Sequence, residues 1–168
     1  MSGIHELAQA LQDSNFGDTI AESRYLYPIF EGTHLLSLAV SVGLIFLTDL
    51  RLIGVFWRHV PVATVLHQLR PFILSGFALL FISGGLVFCS EAATVMASPV
   101  WTVKMVLVAL GGLNALYFEF VIAKRPEVVE NHPVLPPSVK YAGLASLTIW
   151  TLVIMCGRLL AYIPRWGS

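Results

Sequence analysis

The chain has 168 residues, of which 57% are hydrophobic and only 12% charged, with a mean hydropathy of +0.78 and a formal net charge of zero. Ordinary soluble domains carry about 25% charged residues, and a soluble chain this short has too small an interior to hide so much apolar surface. The charge balance sets nucleic acid aside as a partner, and the first expected partner is the lipid bilayer.

In chain order, MSGIHELAQALQDSNFGDTIAESR lacks the basic start and apolar centre of a cleavable signal peptide. Ile4, Leu7, Ala8 and Leu11 recur at helical spacing. That predicts a short amphipathic helix over 3–14, lying on the membrane surface or packed over the end of a bundle. Four apolar segments follow at 27–55, 60–88, 101–123 and 139–163. Each has the roughly 20 residues that cross a bilayer as a helix. The first two exceed that length and should tilt or project. Glycines recur along them (Gly43, Gly76, Gly84, Gly111, Gly143 among others), as expected where helices pack closely in lipid. The connection KRPEVVENHPVLPPSVK is rich in proline and charge and reads as a loop. The expected fold is all-α: an integral membrane four-helix bundle with a short N-terminal interfacial amphipathic helix, as a single membrane domain over 1–168.

With the first helix starting outside, Arg51, Arg58, Arg70, Lys124, Arg125 and Lys140 face the cytoplasm. Arg24, Lys104, Arg158 and Arg165 stay outside. Basic residues favour the cytoplasmic side, so both termini are expected on the periplasmic face of an inner membrane.

Ionisable groups inside spans mark functional sites. At a ~1.5 Å rise per residue, Glu31 lies ~9 Å below Tyr25 and His34 ~13 Å below it. Lys104, Arg158, Cys89 and Glu91 fall near the same depth, so four helices contribute to one outer layer. Near the inner face lie Asp49, Arg51, His59, Arg70, His67 and Glu119, with Asp49 and Arg51 expected to anchor a helix end among the headgroups. His67 is ~20 Å of helix rise from His34, too far for the two to hold one iron.

In the stretch EGTH, the i, i+3 spacing sets Glu31 and His34 on one helix face. It is one Glu-x-x-His element of the kind that di-iron bundles use in pairs. Three readings stand. His34 is an axial ligand for haem b, or Glu31, His34 and Glu91 hold a transition metal. Alternatively, Glu31 pairs with Lys104 or Arg158 in a buried ion network. Finally, the same layer opens a proton or solute path through Asn114, Glu119 and Asp49. Cys89 and Cys156 are buried thiols or, in an oxidising compartment, a disulfide.

The runs RYLYPIFEGTHLLSLAVSVG, LTDLRLIG, GFALLFISGGLVFCSEA, VKMVLVALGGLNALYF and CGRLLAY resemble DUF6644, a family of small bacterial inner-membrane proteins of unknown function. His67 departs from its pattern. The resemblance implies four membrane helices and no particular reaction. The expected function is that of a small redox or metal-linked membrane protein. Its cofactor is haem b or a metal, bound through His34, Glu31, Lys104 and Arg158. Its electron-transfer partners are quinones or a periplasmic redox protein, and it forms a homo-oligomer. The rival readings are a channel or transporter subunit and a membrane scaffold.

Overall fold

The structure is a computed structural model that describes residues 2–129 and 135–162, and the side chains of these except 2, 4 and 5. The side chain of Ile4, the span end at Ile163, Arg165 and the stretch 130–134 of the proline-rich connection lie outside the described residues.

Four helices are long and apolar enough to cross a membrane, and the described residues contain no strand. Two short helices precede them, α1 (Ser2–Gln12) and α2 (Asn15–Glu22). Ser14 separates these two because its hydroxyl accepts the Gly17 N–H and starts a new helix. The first span, α3 (Leu26–Ile53), ends at Gly54, where φ is +84°. Glycine adopts this left-handed cap without the Cβ penalty, and its N–H reaches back to the Arg51 and Leu50 carbonyls.

The second span, α4 (Val62–Met96), runs eight residues past the expected end at 88 and kinks at Glu91, where φ is −133° and ψ 20°. The apolar pattern stops at CSEA, but small residues carry the helix on to Met96. The third span, α5 (Pro99–Tyr117), starts where Ser98 caps it and Pro99 presets the first turn. It continues through a π-helical turn, Phe118–Ile122, whose wider i→i+5 bond runs from Ala123 N–H to Phe118 O. The connection read as a loop includes one short turn of helix, α6 (Pro126–Val129). The fourth span, α7 (Pro137–Leu160), begins on a pair of prolines.

α3 packs between α4 and α7, and α7 packs between α3 and α5. The ends of this row, α4 and α5, touch sparingly. They are tied at one end by the stacked Phe88 and Trp101 rings, 5.0 Å apart, and at the other by an Arg70–Glu119 ion pair of 2.8 Å. Trp150 fills the centre against Val42, Val153 and Phe77. A second core at the α3–α4 turn joins Leu52, Val62, Ile122, Val128, Val139 and Ala142.

The N-terminal helices pack on the far end of α4. The Gln12 side chain accepts the Ala93 N–H at 3.0 Å. In an unbroken helix that N–H would bond Cys89 O, so α1 satisfies a donor released by the Glu91 kink. Packing on the bundle end, one of the two placements expected for this segment, is what its contacts with α4 show. The expectation that Asp49 and Arg51 lie among headgroups is corrected: they are 5% and 7% exposed. The α3–α4 turn folds back over Arg51, whose Nε donates to Val60 O at 2.6 Å, and α7 covers Asp49 at Gly143.

Candidate functional site

His34 faces α4. Its Nδ1 lies 3.0 Å from the Leu80 carbonyl. A carbonyl only accepts, so Nδ1 carries the hydrogen and donates, and in the neutral ring Nε2 keeps a free lone pair. Ser83 flanks the same carbonyl, with its hydroxyl 3.2 Å from Leu80 O and 3.5 Å from Nδ1. The ring lies directly over Gly84, where a Cβ would come within 2.8 Å of Cε1. The small Ser83–Gly84 pair is therefore what admits an imidazole between α3 and α4.

Lys104 enters the same layer from α5. Its ammonium is 5.7 Å from the Trp101 ring centroid and lies over Gly157 of α7, 3.9 Å from where a Cβ would stand. It comes within electrostatic reach of the His34 ring. Cys156 is also close to it. Along the helices, the Phe88–Trp101 stack lies on the side of this pair nearer the N-terminal helices and the Trp150–Phe77 contact on the side nearer the α3–α4 turn.

The rest of the expected layer divides. Glu91 accepts the Tyr27 hydroxyl at 3.0 Å, at an open pocket of about 200 Å³ that Ala21 and Ser90 also line. Glu31 is exposed one turn below Tyr27. Arg158 is exposed too, with its guanidinium donating to the Tyr162 hydroxyl at 3.1 Å. The expected pairing of Glu31 with Lys104 or Arg158 is not found, because among the described residues the ion pair present is Arg70–Glu119. Cys89 and Cys156 are free thiols.

The residues of the expected polar path are also held separately. Asn114 on α5 donates to Ala142 O of α7 at 3.2 Å. Glu119 is 40% exposed and bound to Arg70. Asp49 is buried against α7. Among the described residues, no three His, Cys, Asp or Glu side chains converge within metal-binding reach. Sequence reasoning missed Leu80 O, Ser83 and Tyr27. For Tyr27 a signal existed, since it lies four residues before Glu31 on the same helix face.

A seam between α3 and α7, lined by Leu35, Val42, Phe46 and Ile154, opens sideways as an apolar groove of about 340 Å³. The His34 layer can offer one nitrogen lone pair and one cation.

Comparison with curated proteins and with solved structures finds no match. The sequence model of DUF6644, a family of unknown function, matches residues 14–163, which takes in all four spanning helices, and the chain belongs to that family.

Proposed function

We propose that the protein is a small membrane redox protein in which His34 Nε2 is the axial ligand of a haem b. The observation that carries this reading is the Nδ1–H donated to Leu80 O at 3.0 Å. Such a bond fixes the tautomer and the plane of a ligating histidine and makes Nε2 the better donor. A porphyrin brings four of its iron's ligands with it, so a single histidine suffices. A bare metal ion would need several side chains at one point, and the described residues offer no such set. Lys104 is the cation available to pair with a propionate of the same ligand. Electrons would pass to quinones in the bilayer or to a periplasmic redox protein.

The membrane is proposed to be a bacterial inner membrane with both termini periplasmic. Support comes from the side bearing Arg51, Arg58, Arg70, Lys124, Arg125 and Lys140, which holds most of the basic residues. A homo-oligomer is part of the proposal as well. Gly85 and Gly112 have no neighbour within 4 Å of a Cβ position and leave open surface on α4 and α5 where another helix could approach.

The test is a haemin titration of protein purified in mild detergent, followed by the Soret band. Wild type should saturate. His34→Ala should bind at least ~10-fold more weakly, the scale of losing a ligand or its orienting partner. Lys104→Gln should keep the band with reduced affinity. Identical titrations for wild type and His34→Ala would end the redox reading.

A further inference from the structure

Asp49 stands apart from the His34 layer. It lies fifteen residues further along α3, about 22 Å of helix rise towards the α3–α4 turn. It is only 5% exposed, and its Oδ2 has no hydrogen-bond partner among the described residues. Gly143 of α7 is what closes this corner: a Cβ there would come within 3.2 Å of the Asp49 backbone oxygen and of Leu52 Cβ. One turn on, Ser146 of α7 is 8% exposed and is the polar side chain facing the carboxyl.

The charged groups nearby are committed elsewhere. On the same helix, Arg51 Nε is held by Val60 O at 2.6 Å. From α4 and the π-helical turn, Arg70 and Glu119 bond each other. Arg125 donates to Ser138 Oγ at 3.2 Å, and Asn114 of α5 spends its amide on Ala142 O. Among the described residues, no cationic side chain comes within ion-pair distance of Asp49.

A bare carboxylate oxygen inside an apolar bundle is among the costliest arrangements a membrane protein can hold. A carboxyl group lowers that cost by taking up a positive charge. We propose that Asp49 is the binding site of an exchangeable monovalent cation, a proton or a sodium ion, enclosed between α3 and α7 beside Ser146. A bound proton makes Oδ2 a donor and the group neutral. A bound sodium ion leaves a carboxylate and recruits the Ser146 hydroxyl and main-chain oxygens. This site does not depend on His34 or on any haem.

Infrared difference spectroscopy on the full-length protein in detergent tests it, with Asp49→Asn identifying the Asp49 bands. A proton site predicts a carboxylic-acid carbonyl band, missing from Asp49→Asn, that shifts when water is replaced by D2O. A sodium site predicts a carboxylate band that moves when sodium replaces choline in the buffer. Ser146→Ala keeps the carboxyl and should shift whichever band is present. It therefore serves even if Asp49→Asn does not fold. A carboxylate band indifferent to sodium and to pH would overturn the proposal, as would an acid band that does not shift in D2O.

Discussion

Gly84→Ala gives the sharpest test of how His34 is seated. The added Cβ would stand 2.8 Å from His34 Cε1 and 3.0 Å from Nδ1, about 0.6 Å inside the 3.4 Å at which ordinary contact begins. The neighbour is a ring already bonded to Leu80 O, so it cannot swing away without giving up that bond. Overpacking of this kind costs about 1–3 kcal/mol, and the loss of a buried hydrogen bond adds about 1 kcal/mol. Alanine is also the better helix former, by about 1 kcal/mol, and that gain partly masks the steric loss.

Gly85→Ala separates the two effects. It is the same change one residue on, at a position with nothing within 4 Å. The propensity gain is common to both variants, so their difference reports the clash alone, about 2–4 kcal/mol in favour of Gly85→Ala. Thermal or denaturant unfolding in detergent reads the difference. The haemin titration reads its consequence, since a displaced ring should lose affinity while its ligating atom stays in the chain. Equal stability for the two variants would refute the seating of His34 over Gly84.

Two further outcomes are expected. The Arg70–Glu119 pair is 43% and 40% exposed, so a double-mutant cycle with Arg70→Ala and Glu119→Ala should give a coupling of no more than about 1 kcal/mol; a markedly larger value would mean the pair is closed off from solvent. Asn114→Leu removes the bond to Ala142 O that ties α5 to α7 and should cost about 1–2 kcal/mol on unfolding, whereas an unchanged midpoint would show that the amide bond adds nothing.

Much of the backbone is legible in the sequence. Four apolar runs with few charges settle the number of spans, because lipid requires each backbone polar group to be satisfied within its own helix. The spans expected at 27–55 and 101–123 fall within two residues of the observed helix ends at Gly54 and Pro99. The N-terminal residues Leu7, Ala8 and Leu11 marked an amphipathic helix, but both of its placements suited that pattern equally. The release of the Ala93 N–H by the kink at Glu91, and its capture by Gln12, belongs to two segments eighty residues apart.

The candidate site was legible as a depth and not as a direction. Spacing along each helix placed Glu31, His34, Lys104 and Arg158 at one level, and the structure brings His34 and Lys104 inward while Glu31 and Arg158 face outward. Asp49, read as a headgroup anchor, is instead enclosed by α7. A soluble helix announces its inner face by its polar stripe. These spans are apolar all round, so the sequence by itself determined how many helices there are, roughly where each begins and where along its helix each polar residue lies. How far each helix is rotated about its axis was decided only by tertiary packing, because in lipid that rotation follows from how small residues such as Gly84 and Gly143 let particular neighbours approach.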